Sequence, residues 1–290
     1  MACIEAERTV AACLRELCAS CAGTAAEVLL VYPADRPPRL SRSDHPRVRC
    51  LQGPRSALVP ELWATGFHAS RGSVVAFSTA HCIVRPAWAE ALLAALEAGA
   101  VGAGGPLEPG PGTCVVDWAV CLLRYSAFLP GAAAAEVTEL AGDNAAYRRA
   151  ALERHAASFA NGFWEVDFHR RIRAEGGSLR WVPAAGVEVR GSSRWGTLLR
   201  HRFRHGSHSR SFRTHAEGIP RWRALAAAPA VPLLLAGRVL RRSFARRRDR
   251  LRALASLPVL LPLASAWALG EVRGALGQNA ATVQLPETVA

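Results

Sequence analysis

A glutamate opens the stretch Glu165-Val-Asp-Phe-His-Arg-Arg-Ile172, with Phe168 and Ile172 three and seven residues further on. At helical spacing these three share a face, which sets one carboxylate among apolar neighbours in a first helical turn while Asp167 points elsewhere. A helix N-terminus favours the ionised carboxylate, the form a general base for a hydroxyl needs. The same spacing suits an acid that only stabilises the helix start.

Two further polar clusters stand at the ends of apolar runs. Val74-Val-Ala-Phe77 breaks into Ser78-Thr79-Ala80-His81-Cys82, and Gly142-Asp143-Asn144 follows Val137 to Ala141. Ligands of open α/β sheets sit at the carboxyl ends of strands, where both clusters fall. His81 and Cys82 do not read as a nucleophile pair, because neighbours on an extended strand point to opposite sides. Cys18-Ala-Ser-Cys21 has the spacing of a redox or zinc half-site, yet Val10, Cys13, Leu14, Leu17, Cys18 and Cys21 also form the apolar stripe of one helix. No second ligand pair is evident for a closed zinc site.

The elements that must position these groups alternate. A helix over the cysteine stripe precedes a strand at Glu27 to Tyr32 that stops at Pro33, and a second strand lies near Val48 to Leu51. Pro60 marks the first turn of the next helix. A strand over Gly72 to Phe77 and a helix opened by Pro86 and closed by Gly99 follow. Beyond the turn-rich Gly102 to Gly112 come a helix from Asp117-Trp118, a strand at 137–141, a helix carrying Arg148 and Arg149, and the Glu165 helix. Strands near Leu179 to Val182 and Val187 to Val189 close the region. Such alternation means a Rossmann-like α/β fold, a mostly parallel sheet flanked by helices.

Charge divides the 290-residue chain. Every one of the 36 basic residues is arginine, which reflects coding bias before function, and the whole net charge of +13 falls after residue 190, where arginine outnumbers acids 17 to 4. That stretch holds two uncharged runs, 14 residues from Ala224 to Gly237 and 18 from Ala253 to Gly270. Both contain proline. The first is too short to cross ~30 Å of hydrocarbon and the second is marginal. Arginine beside apolar runs suits an anionic membrane surface through interfacial or re-entrant helices, with two core helices of a small C-terminal domain as the soluble counterpart. No zinc-finger spacing or RNA-binding aromatic signature accompanies the charge, so nucleic acid is not the expected partner. No secretory signal opens the sequence, and a reducing, cytoplasmic setting is expected.

The order of pieces resembles the family 2 glycosyltransferases of the GT-A fold, bacterial enzymes that move a sugar from a nucleotide diphosphate to an acceptor hydroxyl. The likeness is carried by Glu5 to Leu14, the strand 27–32, Gly72 to Trp88, Ala141-Gly-Asp-Asn-Ala-Ala-Tyr-Arg-Arg149, Gly162-Phe-Trp-Glu-Val-Asp-Phe-His-Arg-Arg-Ile172 and Ala266 to Gly274. It implies a GT-A-like domain over residues 1–215 and a membrane-associating helical segment over 216–290, at the cytoplasmic face of a bacterial inner membrane. Glu165 takes the place of the catalytic base, with Gly142, Asp143, Asn144 and Trp164 near donor sugar and acceptor. The acceptor class is a cell-envelope or lipid-linked glycan.

The sequence departs from that pattern on the donor side. Where the family carries an Asp-x-Asp motif for a divalent metal, this chain has Thr79-Ala80-His81, so Mg2+ or Mn2+ is left with His81. His81 either meets the donor or serves as an internal hydrogen bonder. An acidic pair after the second strand is replaced by Tyr32-Pro33, leaving Asp35 nearby. The family's first strand should precede Glu5, where four residues stand. Without a metal, the leaving diphosphate would need Arg200, Arg202 and Arg204 with His205, residues that suit lipid phosphate equally. The rival to an inverting transferase is a non-catalytic sugar-nucleotide or glycan binding protein, or a membrane scaffold, on the same fold.

Overall fold

A computed structural model of the chain describes residues 1–4, 9–38, 40, 47–191, 194–217 and 220–276. The part of the resemblance that rests on residues 5–8 lies outside the described residues. The chain divides into two compact units, one of residues 1–117 and 125–192 and one of residues 118–124 with the chain from 193 onward.

In the first unit α1 (Val10–Ser20) leads to β1 (Val28–Pro33), β2 (Val48–Gly53), α2 (Val59–Ala69), β3 (Val74–Ser78), β4 (Cys82–Val84) and α3 (Trp88–Glu97). Then come β5 (Gly102–Gly104), β6 (Leu107–Pro109), α4 (Val115–Tyr125), β7 (Ala135–Val137), β8 (Asn144–Arg148), α5 (Arg149–Arg154), α6 (Glu165–Ala174), β9 (Leu179–Trp181) and β10 (Val187–Val189). The middle of α4, residues 118–124, groups with the second unit.

Five strands pair in the order β3-β8-β5-β9-β7, with β5 and β9 parallel and the remaining pairs antiparallel. β1 and β2 pair in parallel beside them. The place between β1 and β3 belongs to Ala2, which bridges in parallel to Val31 on one side and Thr79 on the other. Its amide donates to Ser78 O (2.9 Å) and its carbonyl accepts from Ala80 N (2.9 Å), while Cys3 N donates to Val31 O (2.8 Å). These few residues join β1 and β3 into one continuous α/β sheet flanked by helices. A smaller sheet, β4-β10-β6, carries the chain beyond the end of β3.

The α1 stripe packs as its spacing predicts: Val10, Cys13, Leu14 and Leu17 are buried, while Cys18 and Cys21 at the helix end are half-buried free thiols. Under α2 and α6 lies an aromatic core in which Phe77 stacks on Phe163 at 4.5 Å and Tyr147 meets Phe168 edge-on at 5.2 Å. Rings at such separations gain attraction beyond their buried area.

Two expectations are corrected. The segment Asn144–Arg148 is the strand β8 rather than the start of a helix, with Arg148 its last residue, its guanidinium donating to the carbonyls of Ala100 and Leu96; the expected helix begins only at Arg149, as α5. The strand sought at 137–141 ends at Val137 instead, because Leu140 and Ala141 belong to the loop that feeds β8.

The second unit holds α7 (Trp195–Glu217), α8 (Arg221–Ala227), α9 (Val231–Phe244) and α10 (Arg250–Leu276). α7 and α10 approach through glycines. A Cβ on Gly206, Gly270 or Gly274 would lie 2.3, 2.0 or 2.4 Å from a backbone oxygen of the facing helix, so only glycine lets these backbones meet. Gly270 and Gly274, four residues apart, fall on one face, the small-xxx-small spacing of close helix pairs. α10 spans about 40 Å at 1.5 Å per residue. With a mean hydropathy of 1.7 over its most apolar window, it is long and apolar enough to cross a membrane, although Pro258 and Pro262 interrupt it.

Candidate functional site

The apolar run of β3 ends at Ser78, and the chain turns over residues 79–81 before β4 begins. The turn is fixed from three sides. Thr9 Oγ1 and Cys13 Sγ both reach Ala80 O, at 2.7 and 3.2 Å, and Cys82 N donates back to Thr79 O at 3.0 Å. Trp63 Nε1 donates to Ser78 O (3.0 Å), anchoring the strand end from α2.

Antiparallel pairing then decides what this turn meets. Ser78 stands opposite Asn144 in the β3–β8 register, so the C-terminal end of one strand lies against the N-terminal end of the other. Thr79 and Asp143, 64 residues apart, come together: the threonine hydroxyl donates to Asp143 Oδ1 at 3.0 Å. His81 Nε2 lies 3.8 Å from the same oxygen and 3.4 Å from the hydroxyl of Tyr125, at the end of α4. Thr79 Oγ1 is also 3.3 Å from both His81 Nε2 and Cys82 Sγ. Asp143 and Cys82 are buried while the His81 side chain keeps 24% of its surface, which makes it the group that opens the cluster to solvent.

His81 and Cys82 were expected to point apart, and the turn overrides that. Reversal over residues 79–81 removes the strand alternation, so that one donor atom each from His81, Cys82 and Asp143 lie within 4.8 Å of one another. This is the one group of three potential metal ligands among the described residues. It does not fit Mg2+ or Mn2+. Those ions take several hard oxygen donors, and here a single carboxylate stands beside an imidazole and a thiol.

Glu165 begins α6. Gly162, at φ +100°, turns the chain into that helix and packs its Cα on the backbone of Pro60, and Phe163 N donates to Pro60 O at 2.8 Å. The two helix starts, of α2 and α6, are thereby held together. Phe168 and Ile172 sink into the aromatic core as their spacing predicts, and Glu165 stays half-buried at its edge. A Cβ on Gly142 would lie 3.3 Å from the carboxyl carbon of Glu165 and 2.8 Å from the Trp63 ring, so the carboxylate lies directly over the residue preceding Asp143. Beneath it Tyr147 is buried, and burial first, then the charge of Glu165, pushes its phenol well above the usual tyrosine range.

The remaining sequence candidates fall in distinct roles. Asn144 is fully buried. Its Oδ1 accepts from Trp88 Nε1 (2.6 Å), and its Nδ2 donates to Ala185 O (2.8 Å) and Pro106 O (3.2 Å), so the amide clamps three segments of the fold. Trp164 caps α6, with its indole N–H on Asn161 O at 3.1 Å. Asp35 holds the loop after β2 by accepting from the amide and hydroxyl of Ser56, at 2.7 and 3.0 Å. Those bonds, the Ser56 amide foremost, keep its carboxyl below the usual range. Arg200, Arg202 and Arg204 lie on α7 of the second unit, where Arg202 covers the Trp267 ring at 4.5 Å and His205 stacks on the same indole. Sequence reasoning missed Trp63, Cys82 and Tyr125 as parts of the cluster. Only the indole N–H of Trp63, a donor in need of a partner, gave a signal.

No family model and no curated protein matches the sequence. Among solved structures it is similar to GalNAc-T7 with UDP, GalNAc and Mn2+, at 14% identity and a TM-score of 0.44, over 73% of this chain and 49% of that one. This chain thus spans about half the length of that protein. It is similar as well to a mycobacterial protein (14% identity, TM-score 0.45, 73% of each chain). A third is the mannosyltransferase PcManGT from Pyrobaculum calidifontis in complex with GDP-Man and Mn2+ (14% identity, TM-score 0.49, 94% of this chain and 86% of that one). At such similarity the side chains, not the backbone match, must decide what the site can do.

Proposed function

We propose that the chain is an inverting glycosyltransferase of the family 2 type, which uses a nucleotide-diphosphate sugar and acts on a hydroxyl of a lipid-linked or cell-envelope glycan. One observation carries the reading. The Glu165 carboxylate lies over Gly142, next to the Thr79–His81–Asp143 cluster, so that a half-buried acid and a polar, solvent-open turn meet at the end of β3.

In this reading Glu165 accepts the acceptor's hydroxyl proton as the oxygen attacks the anomeric carbon. The bond from that carbon to the diphosphate breaks, and its electron pair leaves with the nucleotide. His81, the exposed member of the cluster, donates a hydrogen bond to the departing phosphate, whose growing charge needs a fixed donor. Gly142 keeps the floor open for the sugar, and Asn144 holds the strand end rigid. The second unit seats the enzyme on an anionic membrane at the cytoplasmic face of a bacterial inner membrane. Its exposed Trp222, Leu233, Leu234 and Leu251 meet acyl chains, and its arginines meet lipid phosphate.

A non-catalytic sugar-nucleotide binder is the second reading, favoured by the single carboxylate in the cluster. Incubating the protein with labelled nucleotide sugars separates the two. Transfer or donor hydrolysis that falls about 10²–10⁴-fold in Glu165→Gln supports the general base. Binding with no turnover in either protein supports the binder.

A further inference from the structure

We infer that His81 Nε2, Cys82 Sγ and an Asp143 carboxylate oxygen form a binding site for a borderline-soft divalent ion of the zinc or cobalt(II) type, selective against Mg2+. The donor set is what such ions take, one imidazole, one thiolate and one carboxylate, with a fourth position left for an outside ligand.

Geometry favours it. In a tetrahedral zinc site the ligand atoms stand about 3.3–3.6 Å from one another, given metal distances near 2.0 Å to nitrogen and oxygen and near 2.3 Å to sulfur. His81 Nε2 and Asp143 Oδ1 are already 3.8 Å apart, and all three donors fall within 4.8 Å, so side-chain rotation of about 1 Å closes the site. The backbone need not move. It is pinned by the hydrogen bonds of Ala2, Thr9 and Cys13 to Ala80.

The surroundings complete the set. Thr79 Oγ1 donates to Asp143, the outer-sphere bond that orients a ligating carboxylate, and the Tyr125 hydroxyl lies 3.4 Å from His81 Nε2, beside the coordination sphere. Cys82 and Asp143 are buried and His81 is the way in. On binding, the Cys82 thiol gives up its proton to solvent and the sulfur electron pair goes to the metal. In the transferase reading the ion, held at Nε2, takes the place of the His81 N–H at the leaving diphosphate, which the fourth position faces. The ion itself is read directly in the test below, so its absence would leave that reading standing.

The full chain, stripped with chelator, is titrated with Co2+. The expected result is a near-ultraviolet thiolate-to-cobalt charge-transfer band with the strong visible bands of four-coordinate cobalt, bleached stoichiometrically by Zn2+ and untouched by excess Mg2+. Cys82→Ser removes the charge-transfer band. His81→Ala and Asp143→Asn weaken cobalt binding by more than about 100-fold, and Thr79→Val by about 10–100-fold. Cys114→Ser, at the exposed cysteine, changes nothing. The inference is overturned if wild type shows no thiolate band, which needs no variant to fold. It is equally overturned if the band survives Cys82→Ser or vanishes with Cys114→Ser; the cluster is then a hydrogen-bond network alone.

Discussion

Thr79 donates its hydroxyl to Asp143 across 3.0 Å, tying the end of β3 to the residue that precedes β8. Asp143 is buried, and a buried carboxylate that loses a donor keeps its desolvation cost without the bond. Thr79→Val preserves shape and removes the hydroxyl, with its bond to Asp143 and its longer contacts to His81 and Cys82. Chemical denaturation should show a loss of about 1–3 kcal/mol. A variant as stable as wild type would mean that the acid's remaining partners satisfy it without the hydroxyl.

Asn144 offers a sharper test of the same junction. Its amide is spent on Trp88, Pro106 and Ala185, and since Pro106 O also accepts from Val187 N at 2.9 Å, Asn144→Ala strands an indole N–H and the Ala185 carbonyl in a dry interior. The expected loss is at least about 2 kcal/mol, from about 1–3 kcal/mol for each unsatisfied group. Asn144→Asp should be no better, because a carboxylate oxygen would then face the two carbonyls. Urea midpoints of the two variants, compared with Thr79→Val, rank the bonds.

Gly142→Ala bears on the catalytic proposal directly. The new methyl would press on the Trp63 ring at 2.8 Å and on the Glu165 carboxyl at 3.3 Å. Overpacking of this kind costs about 1–3 kcal/mol. It should also displace the carboxylate, so turnover is expected to fall further than stability alone explains. Single-turnover rates at a temperature where both proteins are fully folded check this; an unchanged rate would remove Glu165 from the reacting position.

The sequence made most helices and the outer strands legible because their signals are periodic or punctuated. Pro60 and Gly99 bound their helices, and Val28 to Val31 form an unbroken buried run. The site was half legible. Thr79, His81 and Asp143 were visible as polar residues at the ends of apolar runs, but their contact depends on β8. That strand, Asn-Ala-Ala-Tyr-Arg, is buried along all but its last residue, so it shows no polar–apolar alternation and runs straight into the arginine-led α5. Cys82 was hidden for a different reason. A reversal at residues 79–81 cancels the alternation that would separate it from His81. The part played by Ala2 has no sequence signature at all, since a single bridging residue carries no period.

His169 predicts an acid-sensitive core. It is buried with its Nε2 2.7 Å from the Tyr147 hydroxyl, its Nδ1 has no hydrogen-bond partner, and burial lowers its pKa from 6.5 to about 3. The folded protein therefore holds this ring neutral where the unfolded chain protonates it. Its contribution is complete above about pH 6.5 and is lost as pH falls from there toward about 3, at up to about 1.4 kcal/mol per unit. His169→Gln keeps a partner for Tyr147 without titrating. The difference in unfolding free energy between wild type and variant should shrink steadily as pH falls below about 6.5, and a pH-independent difference would mean that solvent reaches the ring.

The proposed membrane seating is tested on the second unit. Trp222, Leu233, Leu234 and Leu251 keep 65%, 70%, 62% and 80% of their surface in a segment where arginine dominates the charge. If both parts act, binding to vesicles has two components that separate experimentally. Attraction to anionic headgroups, worth about 1 kcal/mol per arginine near the surface, fades as salt shortens the screening length to about 3 Å at 1 M. Burial of the tryptophan and leucines does not. The full chain should therefore sediment with phosphatidylglycerol vesicles at low salt, in part at high salt, and only weakly with neutral ones. Trp222→Ala combined with Leu233→Ser should abolish the salt-resistant part and spare the salt-sensitive part. Retention of the salt-resistant part in that variant would move the anchoring to α10, whose 27 residues are long and apolar enough to insert.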